Sequence, residues 1–430
     1  MSPKGPDRGT EWAWCLYDWA NSSFVTTVTA AVLPVYFAEV VCGSRDVSWS
    51  LLGLGMESTA TSLWGYAMAL AALVVAVLSP VFGAAADASR SRKRLTALLT
   101  SLGVLSAGLL SLTGEGDIWP VLGLLVAGQI GFAGSNVFYN SLLISAARPE
   151  RRDLVSARGF AMGYLGGGIL LALNLLMIRR PELFGLADGT AGTRLSFLSV
   201  AVWWSVFSIP LFLRVPEGSG GAVSGLGPAL RDGLRRLSRT LRNLRAHRSA
   251  FRFLLAYLLY NDGIQTVIMM ATVFGKAELG LGTGHLIGAL LMTQAIGVPA
   301  SLAYGSLASR YGARRMITVG IAGYIAIVLY AFRMQEAWEF WVLAGAVGLF
   351  QGGIQAVSRS FFSRMVPTGM NAEYFGFFSI STRFASIFGP LLFAVIRDLT
   401  GSARSSILSL AALFLAGWAL LATVREEETA

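Results

Sequence analysis

A chain of 430 residues would ordinarily fold as two or three soluble domains. With 54% hydrophobic and only 13% charged residues it cannot; that balance belongs to a membrane protein. The net charge of +10 is almost all arginine in short loops between apolar runs, so it reads as a topology signal and not as a nucleic-acid-binding face.

Twelve apolar segments are long enough to span a bilayer: 14–41, 63–86, 95–113, 118–146, 157–178 and 195–213, then 253–274, 286–308, 316–333, 338–362, 374–396 and 405–424. Loops on one side carry Arg90, Arg92, Lys93 and Arg94; then Arg148, Arg151 and Arg152; then Arg310, Arg314 and Arg315. Loops on the other side are mixed or acidic, as at Glu115 and Asp117 or Glu336 and Glu339. The asymmetry predicts that the basic loops and both termini are cytoplasmic. The N-terminus lacks the small-residue cleavage site of a removable signal peptide.

The apolar runs fall into two sets, 1–213 and 253–430, separated by the polar interval 214–252. That interval opens with a flexible run, Glu217 to Pro228, and then turns helical and basic. Leu230, Leu234, Leu237, Leu241 and Leu244 make one narrow stripe, with arginines such as Arg231, Arg235 and Arg239 on the other faces. Such a helix either lies on anionic lipid at the membrane surface or is a solvated linker packing its stripe on nearby loops.

Cys15 and Cys42 sit near opposite ends of one predicted helix, roughly 40 Å apart, and cannot bridge each other. His247 and His285 are too few and too isolated for a metal site. Nothing resembles a phosphate-cradling loop, a catalytic triad or a cofactor motif. The expectation is therefore no enzyme and no cofactor, with any transport driven by gradients.

The two sets echo each other. Gly83 to Asp87 followed by Arg92, Lys93 and Arg94 ends helix 2; Gly305 to Arg310, then Arg314 and Arg315, ends helix 8, 222 positions later. Gly134 to Ser141 in helix 4 matches Gly353 to Ser360 in helix 10. Tyr17-Asp18 in helix 1 is more weakly echoed by Tyr260-Asn261-Asp262 in helix 7. Such repeats indicate a duplicated transporter architecture.

The loop motifs resemble the glycine–acid–arginine motif of the major facilitator superfamily. Tyr17-Asp-Trp-Ala-Asn-Ser22, Phe138-Tyr-Asn-Ser141, Gly163 to Gly168, Leu259-Tyr-Asn-Asp-Gly263 and Ala372-Glu-Tyr-Phe-Gly376 resemble, more narrowly, the vacuole-effluxer family of autophagy-related transporters. The resemblance implies an all-α fold of twelve transmembrane helices in two six-helix bundles, with helices 1, 4, 7 and 10 around a central cavity and helix 11 beside them. It also implies amino-acid efflux, as in the family's fungal members. Two departures stand out: Ser309 replaces the acid of the second loop copy, and Ala88 replaces the first arginine of the first.

Ionisable groups within a bilayer need a partner or a water-filled cavity, so each is a candidate. Asp262 lies roughly 15 Å into helix 7, near the midplane, with Arg383 in helix 11 and Asn21 in helix 1 at similar depth. Gln129, Gln265 and Gln351 are close to that level. Asp262 and Arg383 either form a structural ion pair or hold opposite ends of a zwitterionic solute. Asp262 is also the first candidate for a coupling proton, and Asp18 the second.

Tyr17 and Asp18, with their counterparts Tyr260 and Asn261, are either interfacial anchors or parts of a gate. Trp12, Trp14 and Trp19 would form an aromatic belt beside them. Gly83, Asp87, Gly305 and Arg310 are expected to act in gating at the basic loops. Arg158 and Arg359, at helix ends, are explained by snorkelling. The expected function is secondary active transport of a small polar solute, with a multidrug-type effluxer or a non-transporting membrane sensor as alternatives.

Overall fold

The computed structural model describes residues 6–51, 54–89, 91–217, 248–367, 370–384, 388–400 and 402–424. The basic helix foreseen within 214–252, and with it the expected anionic-lipid contact, falls almost wholly outside the described residues.

Helix α1 runs Arg8–Val41 and starts where Asp7 accepts a hydrogen bond from the Thr10 N–H at 2.8 Å. It is wound as π-helix over Phe24–Val32 and again over Phe37–Val41, flanking the short α-turn Leu33–Tyr36 that contains Pro34. The rest of the first bundle is α2 (Ala60–Ser89), α3 (Arg92–Leu110), α4 (Ile118–Ala146), α5 (Arg152–Arg179) and α6 (Gly189–Arg214). The second comprises α7 (Arg248–Leu279), α8 (Thr283–Tyr311), α9 (Ala313–Arg333), α10 (Ala337–Arg364), α11 (Asn371–Phe384), α12 (Phe388–Thr400), α13 (Ala403–Ser409) and α14 (Ala411–Ala422). Among the described residues eleven helices are long and apolar enough to cross a membrane. The predicted eleventh span corresponds to α11 and α12 together, and the twelfth to α13 and α14.

Most helices run a few residues past their apolar windows, because arginines and capping acids extend them into the polar layer. α10 shows the device: Glu336 and Glu339 form a capping box at its start. One element departs from a purely helical reading. Residues 42–59, foreseen as loop, hold a small antiparallel hairpin of β1 (Val47–Leu51) and β2 (Leu54–Ser58), joined by the Trp49 indole N–H to Ser58 Oγ at 3.0 Å.

Apolar side chains cover the outside of the helices as well as filling the core. Leu98, Leu102, Leu105 and Leu109 on α3 and Val202, Val206, Ile209 and Leu213 on α6 recur at helical spacing and point outward. In water such stripes would be penalised; against lipid tails they are not, while the helices satisfy their own backbone polar groups. The two bundles meet along α2 against α11 and along α5 against α8 and α10.

Candidate functional site

The two bundles close on each other at the end that carries the basic loops. There, small residues let backbones approach. A Cβ at Gly83 of α2 would collide with the Ala372 carbonyl and Glu373 Cα of α11. One at Gly305 of α8 would collide with Ala157 Cβ and approach the Asp153 carbonyl of α5. The motif glycines of the two repeats thus occupy equivalent places in the seam.

Four residues beyond each glycine the two repeats diverge. Asp87, buried, pairs with Arg92 at 2.9 Å and accepts the Glu373 backbone N–H at 2.9 Å, so it caps the first turn of α11 from the opposite half. Ser309, in the matching position, is exposed and turns back to the Gly305 carbonyl of its own helix. Arg310 is also exposed and lies over the Tyr311 ring at 5.4 Å. On that side the acid comes instead from α5: Asp153 accepts from the Ser360 hydroxyl and pairs with Arg364, both on α10.

Between the seams lies Arg359 of α10. It is only 4% exposed, which corrects the expectation that it snorkels to the surface. Its Nε donates to Ser156 Oγ at 2.9 Å, one Nη to Asn140 Oδ1 at 3.0 Å, and the other to the Ser156 carbonyl at 2.9 Å and to Asp18 Oδ2 at 3.1 Å. The guanidinium carbon lies over the rings of Trp14 and Phe160, at 4.6 and 4.5 Å. Trp14 is therefore fully buried, stacked on Tyr139, and not part of an interfacial belt; Trp12 is exposed. Arg158 does remain near the surface, 3.9 Å from Glu11.

Tyr17 is buried and its hydroxyl bonds Thr100 Oγ1 at 2.6 Å; Tyr260, equally buried, bonds Ser358 Oγ at 2.6 Å. Among the described residues, the side-chain hydrogen bonds that cross between the halves lie at this basic end.

At mid-depth the first half is polar and satisfied. The Asn21 amide donates to Asn136 Oδ1 at 3.0 Å, and Gln129 donates to Thr29 Oγ1 at 2.7 Å, tying α1 to α4. In the second half Gln265 and Gln351 are half-buried. Asp262 and Asn261 are fully buried, and neither the Asp262 carboxylate nor the Asn261 amide has a hydrogen-bond partner among the described residues. Gly389 of α12 packs against this turn of α7, where a Cβ would lie 3.1 Å from the Asp262 carbonyl oxygen. Arg383 lies in the last turn of α11, and its side chain is outside the described residues. Among the described residues no hydrogen bond joins Asp262 to the Asn21 and Gln129 group.

Sequence reasoning missed the Arg359 node and Asp153. The signal was present: the helix 4 and helix 10 repeats, 219 positions apart, put Arg359 opposite Asn140, a charge where the other repeat has an amide.

The profile of the family described as "Vacuole effluxer Atg22 like" matches residues 7–148 and 144–430. A Bacillus subtilis MFS-type transporter, YxiO, is 37% identical over 96% of this chain and 94% of its own. Autophagy-related protein 22-1 of Aspergillus niger is 28% identical over 61% of this chain and 45% of its own. Among solved structures, the human organic anion transporter MFSD10 superposes with a TM-score of 0.71 at 15% identity, over 97% of this chain and all of the other. The chain therefore belongs to the Atg22-like vacuole-effluxer family and is a transporter of the major facilitator superfamily.

Proposed function

We propose that this transporter is a secondary active carrier that moves amino acids across the bacterial plasma membrane by alternating access, in the direction of efflux. In this reading the basic end is cytoplasmic, both termini included, and the closure at that end is one half of the cycle. Amino-acid efflux in the family's fungal members favours the substrate class.

The observation that carries the reading is Asp262. Among the described residues the Asp262 carboxylate is buried without a hydrogen-bond partner, and an ionisable group at that depth of a membrane bundle is costly and marks a solute or ion site. Asp262, aided by Gln265, Gln351 and Asn21, would accept hydrogen bonds from the solute's ammonium group. Arg383 would hold the carboxylate through its planar fork, which lysine cannot reproduce. The same carboxylate is the first candidate to carry a coupling proton.

Sealed vesicles holding the purified protein, loaded with a labelled amino-acid panel, test the proposal. Wild type should exchange at least one member of the panel. Arg383→Lys should bind it much less well and Arg383→Ala not at all, a loss of about 2–5 kcal/mol for one charge-assisted contact. Asp262→Asn should abolish gradient-driven accumulation and also weaken exchange, because it removes the charge that would hold the ammonium group. Flux of bulky apolar cations with none of amino acids would replace this reading with multidrug efflux.

A further inference from the structure

The contact between Arg359 and Asn140 joins residues that are each other's repeat counterparts, 219 positions apart. Two equivalent side chains can meet only on the pseudo-twofold axis that relates the halves. A symmetric molecule would place like residues there. This one has a guanidinium on α10 and an amide on α4, and the guanidinium reaches past the axis to Asp18 on α1. The corresponding position of α7 in the weaker repeat is Asn261, which is neutral and without a partner among the described residues. One diagonal across the axis is therefore charged and the other is not.

The charged diagonal is built with care for fit. Gly159 of α5 leaves the room for it, since a Cβ there would strike Asp18 Oδ2 and the Trp14 ring and crowd the Arg359 guanidinium. Ser156 holds Arg359 by hydroxyl and carbonyl alike, and the same hydroxyl donates across the seam to the Ala356 carbonyl at 2.7 Å. The Trp14 and Phe160 rings pack against the guanidinium. Of the groups that hold Arg359, every one belongs to the first half while Arg359 belongs to the second. Parting the halves at the basic end must break all of them together.

We infer that Asp18 and Arg359 form a latch across the pseudo-twofold axis, which holds the transporter shut at its basic end through one charged diagonal. The inference rests on the alternating-access reading, yet it is read out with no solute, so a failed flux assay does not decide it. Opening costs the separation of a buried pair, and the second diagonal at the same end, Asn140 with Asn261, carries no charge to share that load.

The test uses the full-length protein with Cys15→Ser and Cys42→Ser and one added reporter. Ser363→Cys sits in the seam, where the Ser363 carbonyl accepts from Arg152 of the other half. Val25→Cys sits about two turns beyond Asp18 on the same face of α1. Each reporter is labelled with a water-soluble maleimide in wild type, Asp18→Asn, Arg359→Gln and the double variant. Release of the latch should speed labelling at position 363 roughly tenfold, within the range common for coupled equilibria, and slow it at position 25. The double variant should change no more than the stronger single one, because both singles break the same contact. Unchanged rates at both positions overturn the latch. Faster labelling at both overturns it too, since that is a loosened fold and not a shift between ends. Should Arg359→Gln aggregate on gel filtration, Arg359→Lys keeps the charge without the fork and should give an intermediate shift of the same sign.

Discussion

The two seams are built on the same glycine and finished differently. Where Gly83 meets α11, the acid Asp87 comes after it on the same helix and reaches across to the Glu373 N–H. Where Gly305 meets α5, the equivalent position is Ser309, and the acid Asp153 stands on the opposing helix and reaches to α10. Close backbone approach is thus common to both repeats, while the electrostatic finish is not. Glycine sets how near the halves can come, and the acids set how firmly they stay.

Changing the acids should break the comparison most. Asp87→Asn leaves Arg92, 6% exposed, buried beside a neutral partner, and should cost the closed form about 3–5 kcal/mol. Spin labels on the basic ends of α5 and α8 should report the longer distance. Asp153→Asn should cost less, about 1.5–3 kcal/mol, because Arg364 is 35% exposed and can hydrate when released. Equal shifts in the two variants would mean that burial of the basic partner does not decide the effect.

The glycines should respond next. Gly83→Ala meets backbone, and Gly305→Ala meets chiefly the Ala157 methyl. Each should cost about 1–3 kcal/mol of closure, with Gly83→Ala the worse, measured by the same label pair. The smallest change sharpens the comparison by restoring the missing acid. Ser309→Asp would place a carboxylate near the first turn of α5 and should favour closure by no more than about 1 kcal/mol. A larger gain would indicate a contact that the exposed Ser309 does not prepare.

The membrane fold was legible in the sequence, because lipid enforces long apolar runs and the loops carry the topology signal. The fourth span, 118–146, is the helix α4 to the residue. The eleventh was less so: Gly389-Pro390 marked a bend, and the described helix is divided into α11 and α12 around residues 385–387. Depth along a helix was readable at 1.5 Å per residue, and it gave Asp262 and Asn21 similar depths. Azimuth was not. Asn21 turns to α4 while Asp262 packs by α12, and no periodicity in one helix says which neighbour its polar face will meet. Arg359 was misread for the same reason. A cation near a helix end usually escapes to water, and only the partner bundle reveals that four polar contacts and two rings hold it inside.

The π-wound stretch of α1 bears on how its interior surface is presented. A π turn takes up one residue more than an α turn, so side chains beyond Ser23 are rotated about the helix axis relative to those before it. Rewinding Phe24–Val32 as α-helix would swivel the far part of α1 like a screw thread, while Trp14 and Asp18 stay held by α4 and α10. Thr29 would then leave Gln129, and another side chain would take its place against α4. Such a rewinding would change the lining of the carrier without moving either bundle.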